Sequence, residues 1–583
     1  MDQKSEKPKY FVDDLEESEA KEFSLARDYT ELREDLEVRL SDLKQERDYW
    51  IGVWSKLSQY ISPQTGKYIN SPQALTRGNQ SRDKILSNVT SSALRTLASG
   101  MLGGMSSPTK PWFQLSLPLG DKDDSKIKIW LSECEEVMRA VMHKSNYYAS
   151  LATAYYDLGL YGTSAVIIYE DERNGIKCQN LPIGSYCLAS DDDGNVTTLM
   201  REFNMTLYQM VKRYGVENLS RTAQDAWKAR RGLEVEYTLI QAIFPNKDYD
   251  VDGIGTKGLE YLDVTFERGS EKGKLLEFKG FKEKPFFASR WFTVNGDVYG
   301  ESPAMEALPD VERLQYYTKK EMQATEKVLS PPLIASSSLI DQPTHLTPNG
   351  LTYVPNITEH GMRALYEINP TAISIVNGII NEIVKRINDA FYKDLWMLLD
   401  SLEGVQPRSQ MELTKREGEK ILQLSPVIQK VQSELLESSI DRIFSILFRQ
   451  GALPPPPEAL QEIKDLKIEY TSELSVAQNV KDTVPIEQFA SFIGNLAGVF
   501  PDVRDKFAVD ETVDDYGRAL GLNPKVIRAT DKANAIREQR NQQMQQQQMM
   551  QQGLAMAQGA KTLSETQVGG GANALALAMG GGM

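Results

Sequence analysis

Two long helical runs that flank one short segment constrain the fold of this chain more than any other sequence feature. The first run opens at Pro303 and ends at Leu329, where Ser-Pro-Pro stops it, so its roughly 27 residues would span about 40 Å. The second run extends from Pro370 to about Leu402 and repeats Ile, Val and Phe at helical spacing. Residues 331–369 are rich in Pro, Ser, Thr, Asn and Gly, which predicts a small insertion of loops and short strands between the two helices.

The rest of the chain alternates between helical and strand-rich stretches. Helical periodicity predicts helices over about 16–61, 82–102 and 124–158. Residues 162–292 predict an α+β body, because runs such as SAVIIYE, TTLMREF, EVEYTLIQAIF, LDVTFE and FFASRWF alternate with turns and one or two helices near Leu207 and Thr222. The C-terminal part predicts a helix over 411–449 with a kink at Pro426, shorter helices with a strand at 467–470, and a low-complexity tail over 541–583.

Composition limits the class of protein. The length of 583 residues is typical of about four structural units. No apolar run approaches the ~20 residues needed to cross a bilayer, and the acidic N-terminus is unlike a signal peptide. Three cysteines are too few for a disulfide framework and predict buried or partly buried thiols in a reducing, intracellular setting. The net charge of −15 argues against a groove that grips nucleic-acid phosphates, although DNA could still slide past such a surface.

The sequence carries no motif typical of an enzyme. The Gly-Lys pairs at 66–67 and 273–274 precede Tyr and Leu instead of Ser or Thr, so no phosphate-binding loop is present and another protein would have to supply any ATP hydrolysis. No histidine lies in an HxH, HExxH or Cys/His zinc pattern. The three histidines are His143, His345 and His360. We therefore expect no enzymatic activity, no cofactor and no metal.

An acidic run at Asp191–Asp193 partly matches a calcium loop. Asn195 and Glu202 occupy the fifth and twelfth positions of that pattern, but β-branched Val196 stands at the sixth, where the loop needs glycine. The run TTLMREF that follows is typical of a strand and not of an exiting helix. A β-turn that joins two strands is the stronger interpretation.

Five segments occur in a recognisable order along the chain. They are SGMLGGMSSPTKPWFQL (Ser99–Leu115), YYDLGLYGTSAVIIYED (Tyr155–Asp171), YGESPAMEALPDVERL (Tyr299–Leu314), LSPPLI (Leu329–Ile334) and RINDAFYKDLW (Arg386–Trp396). Together they resemble the portal, or head-to-tail connector, proteins of short-tailed (podovirus) bacteriophages. Each segment alone is weak evidence for a family, but the five segments in this order make the resemblance specific. It covers residues 20–540 and leaves out the acidic leader and the Gln/Met/Gly tail.

The resemblance implies a fold class and a division of the chain. The fold is α+β, predominantly helical, and assembles as a ring, typically of twelve subunits, at one capsid vertex. The implied parts are an acidic leader (1–19), a wing (20–302), a first stem helix (303–329), a clip (330–369), a second stem helix (370–403), a tunnel loop (404–410), a channel helix (411–457), a crown (458–540) and a low-complexity tail or short barrel (541–583). Plain disorder of the tail is the alternative to a barrel.

The implied function is a structural DNA conduit through which double-stranded DNA is packaged and ejected. The implied partners are other copies of the chain in a dodecamer, the terminase large subunit as packaging motor, a tail adaptor protein, major capsid and scaffolding proteins, and double-stranded DNA, but no membrane. The protein would lie in the virion at a capsid vertex, and in the host cytoplasm during assembly. Two alternatives stay open: a nucleic-acid-processing enzyme or ATPase, and a non-portal minor capsid or scaffold protein.

Candidate residues follow from these assignments. A basic set would either meet DNA phosphates in the channel or form a solvated or subunit-pairing helix face: Arg408, Lys415, Arg416 and Lys420. A second set in the clip would dock the motor and later the tail: Asp341, Gln342, His345, Asn349 and His360. A third set on the stem is expected in inter-subunit salt bridges: Arg313, Lys319, Lys320, Lys385, Arg386 and Lys393. Trp112 and Phe113 would pack in the wing core or, less favoured, contact a partner.

Overall fold

The computed structural model describes most of the chain and divides it into two compact units. It describes residues 29–69, 85–116, 125–250, 253, 255–271, 273–294, 296–334, 340, 363–364, 370–401, 424–457, 467–470, 486–497, 500, 507–519, 530–565, 567–568 and 572–573. The first unit contains residues 1–121 and 133–478, and the second contains residues 122–132 and 479–583. Length alone predicts about four units. The observed number is lower because the sheets and long helices of the first unit pack directly on one another.

Two antiparallel sheets form the centre of the first unit. The strands of the chain are β1 (Phe113–Ser116), β2 (Thr163–Asp171), β3 (Gly175–Leu181), β4 (Tyr186–Ser190), β5 (Val196–Thr206), β6 (Glu236–Pro245), β7 (Tyr261–Glu267), β8 (Glu277–Phe281), β9 (Phe286–Arg290), β10 (Leu333–Ile334), β11 (Arg363–Ala364), β12 (Lys467–Tyr470), β13 (Gln567–Val568) and β14 (Ala572–Asn573). The larger sheet has the order β4-β5-β6-β7-β8 and the smaller has the order β3-β2-β9. All five β-rich runs of the sequence are strands, whereas β3, β4 and β8 lie outside them.

The helices that the structure describes occur in both units. They are α1 (Thr30–Tyr60), α2 (Val89–Met105), α3 (Ser125–Lys144), α4 (Tyr147–Tyr161), α5 (Leu207–Tyr214), α6 (Arg221–Lys228), α7 (Pro303–Leu329), α8 (Pro370–Ala390), α9 (Lys393–Ser401), α10 (residues 424–449), α11 (residues 486–497), α12 (Val509–Ala519) and α13 (Thr530–Glu565). The helix predicted over 82–102 begins later, at Val89, and residues 85–88 are not helical.

The helix predicted over 124–158 is instead two helices, α3 and α4. Asn146 lies between them and pairs with the backbone of β3, because its side-chain nitrogen donates to the Cys178 carbonyl oxygen (2.7 Å) and its side-chain oxygen accepts from the Cys178 N–H (2.9 Å). An asparagine that bonds to a neighbouring strand in this way competes with helix continuation.

Helix α1 covers one face of the larger sheet. Leu36 and Leu40 pack on Met200, Ile240 and other residues of that face. Further along α1, the buried Trp54 donates from its indole nitrogen to the Tyr161 carbonyl oxygen (3.2 Å) and packs edge-on against Tyr299. On the opposite face, α5 and α6 enclose a separate apolar cluster with Leu239 at its centre. Burial on both faces explains why these strands are strongly apolar.

Helices α7 and α8 pack side by side, and α8 ends sooner than the sequence predicts. The expected helix over 370–402 breaks at Tyr392, which adopts a positive φ of 51°. The break redirects α9 so that Trp396 lies against α2. A Cβ atom at Gly100 would meet the Trp396 ring at 2.6 Å, so only glycine allows this close approach.

Helix α10 is irregular at a place that the sequence does not indicate. The sequence predicts a kink at Pro426. The irregular segment lies further along the helix, where a π-helical turn covers Gln432–Glu437. The predicted strand Lys467–Tyr470 is β12, which pairs with β1. Within the second unit, α13 begins beside α12, where Arg537 pairs with Asp510 at 2.5 Å. Helix α13 continues to Glu565, and its side chains over residues 534–555 are exposed, so this part of the tail is helical.

Candidate assembly and channel region

The candidate residues of the channel and the clip lie outside the described residues. Arg408, Lys415, Arg416 and Lys420 fall between the end of α9 at Ser401 and the start of α10 at residue 424. Asp341, Gln342, His345, Asn349 and His360 fall between β10 and β11. The structure therefore gives the elements that border both segments. β10 and β11 pair antiparallel, with Leu333 opposite Ala364, and this pairing brings the two ends of the predicted clip together.

The base of the α7–α8 hairpin is firmly anchored in the body. Ser302 caps α7, because its hydroxyl accepts from the Met305 N–H (3.0 Å) and donates to the Leu160 carbonyl oxygen (2.9 Å). Pro303 at the first helical position suits this start. Beneath it, Gly162 has a positive φ of 75°, and a Cβ there would lie 2.1 Å from the Gly300 carbonyl oxygen. The tight Gly162 turn thus fixes where α7 leaves the body.

Buried Gln315 ties α7 to the segment that leads into α2. Its side-chain oxygen accepts from the N–H groups of Leu86 (2.7 Å) and Ser87 (2.9 Å), and its nitrogen donates to the Ser87 carbonyl oxygen (3.1 Å). One side chain therefore satisfies three backbone groups that no helix or strand would satisfy. The sequence analysis did not single out Gln315.

The far half of the hairpin differs, because its side chains are open to solvent. No residue of α7 beyond Gln315 is buried, and no described residue of α8 before Ile383 is buried. Large apolar side chains are exposed here, including Tyr316 (57%), Met322 (56%), Leu329 (78%) and Ile375 (61%). Apolar side chains grouped on one projecting element are typical of a contact surface.

Two of the basic stem residues have partners within the chain. Arg313 lies 3.3 Å from Asp310, and Arg386 lies 3.8 Å from Asp310 and 3.1 Å from Glu382. Lys320 lies over the ring of Tyr316, 5.6 Å from its centroid. Inter-subunit pairing of this set remains a prediction.

The π-helical turn of α10 is clamped to the smaller sheet by Glu434. This carboxylate accepts from the Arg290 backbone N–H (2.8 Å) and from its Nε (3.0 Å), at the end of β9. Arg290 also donates to the Gly194 carbonyl oxygen (2.8 Å) in the β4–β5 turn. That turn is the one predicted from Asp191–Asp193, and Asp191 accepts from the Asn195 N–H at 2.7 Å. One ion pair thus connects α10 with both sheets.

A second clamp joins the end of α10 to the β8–β9 connection. Glu283 accepts from Arg442 (2.8 Å) and from both terminal nitrogens of Arg449 (2.8 and 2.9 Å). The Arg442 side chain is only 1% exposed. Burial alone would raise the pKa of Glu283, but the two arginines outweigh it and hold the pKa below its usual value. The carboxylate therefore stays charged as part of the junction.

A buried polar network lies within the larger sheet. Gln241 donates to both carboxylate oxygens of Asp263 (2.8 Å each) and accepts from Arg201 Nε (2.7 Å). Burial, together with the negative charge of nearby Glu277, raises the pKa of Asp263 to about 6. All three side chains are at most 4% exposed, so they cross-link β5, β6 and β7 and are not open to a substrate.

Two predictions about single residues can be scored directly, one for Trp112 and Phe113 and one for the three cysteines. Trp112 and Phe113 are fully buried and pack on each other, as expected for the wing core. All three cysteines are free and buried, and burial raises the pKa of Cys178 to about 12. Among the described residues, no group of three or more His, Cys, Asp or Glu side chains could hold a metal ion. No described helix is long and apolar enough to cross a membrane.

Sequence reasoning missed the residues that hold the junctions together. Glu283, Arg290, Glu434 and Arg442 are ordinary charged residues in the sequence and come from elements far apart along the chain. The one available signal is their position, since charged residues inside strongly apolar runs are expected to be paired when buried. That signal does not identify the partner.

The exposed apolar side chains of α7 and α8, on a body that is held together by buried ion pairs, are typical of a structural protein that contacts other chains. Residues 33–527 match the family described as bacteriophage head to tail connecting protein. The chain is 37% identical over 538 residues to the portal protein of Salmonella phage epsilon15, covering 92% of this chain and 96% of that protein. It is 35% identical over 530 residues to a probable portal protein of Bordetella phage BPP-1, covering 90% and 94%.

The chain therefore belongs to the bacteriophage head-to-tail connector family. This confirms the resemblance stated from the five sequence segments. The mixed helix and strand content also agrees with the predicted α+β class.

Proposed function

We propose that this chain is the structural portal subunit of a podovirus capsid and forms a channel through which double-stranded DNA is packaged and ejected. The family match over residues 33–527 carries the proposal, and the two portal-named relatives support it. The protein acts in the virion at one capsid vertex, and its subunits assemble in the host cytoplasm. It has no enzymatic step of its own and needs no cofactor.

The assembly is a ring, with a dodecamer as the proposed state. The exposed apolar side chains of α7 and α8 support this, because burial of each against a neighbouring copy contributes about 1.5–3 kcal/mol. A ring closes when each subunit presents two different complementary faces. In this scheme α7 is the first stem helix, and α8 with α9 forms the second.

Residues 404–410 form the tunnel loop and residues 411–457 the channel helix in this proposal. Arg408, Lys415, Arg416 and Lys420 then surround the DNA, and each contact is weak and screened by salt, so the duplex can move. Replacing Arg408 with Glu should leave ring formation intact but reduce packaging or retention of DNA, most at low salt. Packaging that matches the parent across a salt series would contradict the placement of Arg408.

The clip over 330–369 docks the packaging motor first and the tail adaptor later. The pairing of β10 with β11 supports this, because it brings the two ends of the clip together. Deleting residues 341–349, which contain Asp341, Gln342, His345 and Asn349, should abolish motor binding in a pull-down while rings persist. His360 belongs to the same surface.

Native mass spectrometry of the purified chain tests the proposal as a whole. A species of about twelve copies at micromolar concentration and moderate salt is expected. A monomer as the sole species under these conditions would contradict the portal function, whereas a ring of another number would change only the proposed stoichiometry.

A further inference from the structure

An exposed basic and aromatic patch lies on the two short helices that cap the larger sheet. We define this cap patch by Lys228, Arg230, Arg231, Tyr208 and Trp227. The three basic side chains are exposed, and the described part of the chain provides no ion-pair partner for them. Tyr208 is 55% exposed, and its ring lies 6.4 Å from the ring of Trp227. The patch thus combines unpaired positive charge with apolar surface.

The charge of this region is opposite to that of the chain. Six basic and three acidic side chains lie between Leu207 and Val235, whereas the net charge of the whole chain is −15. Val235, which follows the patch, is itself 53% exposed. A local excess of positive charge beside exposed apolar groups favours a partner that is both acidic and partly apolar.

The backbone holds the two arginines in an unusual conformation. Arg230 has a positive φ of 50°, which residues other than glycine seldom adopt. Two backbone hydrogen bonds fix the turn, from Arg230 N–H to the Trp227 carbonyl oxygen and from Arg231 N–H to the Ala226 carbonyl oxygen (3.0 Å each). Strain retained at an exposed turn is a reason to look for a function there.

The acidic leader of the same chain has the complementary composition. Between Asp13 and Glu22 it carries six acidic residues and one basic residue, and Tyr10, Phe11 and Val12 precede this run. The leader lies outside the described residues. Its sequence offers negative charge to the three basic side chains and apolar groups to the two aromatic rings.

The structure also brings the start of α1 close to the cap patch. The Tyr29 N–H donates to the Gly273 carbonyl oxygen (3.4 Å). In the same turn, Glu271 accepts from the Arg221 N–H (3.3 Å) at the first residue of α6. From there the eight residues of α6 span about 12 Å, whereas the seven steps from Glu22 to Tyr29 reach up to about 23 Å when extended. The acidic run can therefore reach the cap patch of its own chain.

We propose that the acidic leader docks on the cap patch of the same chain. Asp13–Glu22 faces Lys228, Arg230 and Arg231, and Tyr10–Val12 covers Tyr208 and Trp227. DNA phosphates would also attract the basic side chains, but phosphates would not cover the exposed apolar surface of Tyr208 and Val235. The short tether from Tyr29 favours the leader further, because it gives the leader a high effective concentration at the patch.

Hydrogen exchange on the full chain tests this contact. The comparison is between the parent and a neutralised leader that carries Asp13→Asn, Asp14→Asn, Glu16→Gln, Glu17→Gln and Glu19→Gln. Amides of residues 207–232 should exchange at least about fivefold faster in the leader variant, because the ion pairs that hold the leader are lost. Equal exchange of this segment in the two proteins would overturn the proposal.

A charge exchange makes the test specific. Lys228→Glu, Arg230→Glu and Arg231→Glu together should also release the leader, and lysines in place of Asp13, Asp14 and Glu16 should restore its protection in that background. A matched control, Arg173→Glu with Lys177→Glu and Lys247→Glu, changes the charge equally at exposed sites elsewhere and should have no effect. If the patch variant loses DNA binding in a filter assay while leader exchange is unchanged, DNA is the occupant and the proposal is wrong.

A cross-link distinguishes the same chain from a neighbouring copy. Ser18→Cys with Ala229→Cys should give a disulfide on mild oxidation, since the native cysteines are buried. In a mixture of isotopically heavy and light chains, cross-linked peptides should contain a single isotope form. Mixed heavy and light peptides would overturn the assignment to the same chain.

Discussion

The junction between α10 and the sheets and the inner half of the α7–α8 hairpin each hold one carboxylate between two arginines, but in different environments. In the junction, Glu283 faces Arg442 and Arg449, and Arg442 is 1% exposed. In the hairpin, Asp310 faces Arg313 and Arg386, and both arginines are nearly half exposed. The side chains of Glu283 and Asp310 are similarly exposed, at 23% and 24%, so the two groups differ in the burial of their arginines. Burial of the arginine partner therefore decides what each ion pair contributes to stability.

The distribution of apolar side chains follows the same division. In the body, Trp54 and Trp112 have no exposed surface. The hairpin leaves Met322 and Leu329 more than half exposed. A subunit that assembles with other copies needs a body whose core is buried within one chain. It also needs apolar side chains that remain exposed until a neighbouring copy covers them. Variants of the body and of the hairpin test this contrast.

The largest effect is expected from the apolar side chains of the hairpin. Met322→Ser with Ile375→Ser should weaken each subunit contact by about 3–6 kcal/mol, because two apolar side chains lose their burial in the ring. Native mass spectrometry should then find monomers where the parent forms rings, with unchanged urea midpoint of the monomer body. The matched control is Val38→Ser with Tyr49→Ser, which alters exposed apolar residues of α1. Loss of rings in the control but not in the hairpin variant would mean that α1, and not the hairpin, forms the subunit contact.

The next effect concerns Glu283, the carboxylate that faces the buried Arg442. Glu283→Ala removes the charged partner of this buried arginine, so the free energy of unfolding should fall by about 3–5 kcal/mol. Urea denaturation followed at the tryptophans measures the shift in midpoint. A change below about 1 kcal/mol would mean that solvent reaches Arg442 in the absence of Glu283. The ion pairs of the junction would then contribute as little to stability as those of the hairpin.

A third effect depends on pH and concerns Asp263 in the larger sheet. Its pKa of about 6 lies above the value of about 3.9 for unfolded chains, so the folded state binds more protons between these values. Stability from this site is therefore fully present below about pH 4 and is lost as the pH rises through 6, by about 3 kcal/mol. Asp263→Asn removes this dependence and adds only a constant difference in stability.

Urea titrations from pH 4 to 8 measure the difference in free energy of unfolding between the parent and Asp263→Asn. The free energy of unfolding of the variant should rise relative to that of the parent up to about pH 6. Above that pH the difference between the two proteins should stay constant. Other groups, including Asp157 with a pKa raised by burial to about 7, titrate in both proteins and cancel. A difference that is constant with pH would show that Asp263 titrates normally.

The sequence predicted the order of elements better than their junctions. The strands β2, β5, β6, β7 and β9 follow from alternating or continuous apolar runs, and α7 has the expected bounds because Ser302, Pro303 and the Ser-Pro-Pro stop are local signals. The break at Tyr392 has no such signal. It depends on Trp396 packing against Gly100, a contact between residues almost three hundred positions apart. The π-helical turn likewise depends on Glu434 reaching Arg290.

The candidate site was predicted less completely, for a related reason. The channel and clip residues were assigned through the family resemblance, and they lie outside the described residues, so their roles remain proposals. The residues that the structure does place, such as Gln315 and Glu434, act through backbone groups of distant elements. Backbone partners are not visible in a sequence, because every residue offers the same N–H and carbonyl groups.

The smallest effect is expected at Asp310, whose two arginine partners are nearly half exposed. Asp310→Ala removes a carboxylate that faces two arginines at 3.3 and 3.8 Å, as Glu283→Ala does in the junction. Because Arg313 and Arg386 remain in water, the free energy of unfolding should fall by about 0–1 kcal/mol. Any loss should diminish further in ~1 M salt, where the Debye length is about 3 Å. Urea denaturation at low and high salt, with Glu283→Ala measured in parallel, gives the ratio of the two effects. A loss near that of Glu283→Ala that persists in high salt would mean that Asp310 is buried between neighbouring subunits, and the hairpin ion pairs would then belong to the ring contact.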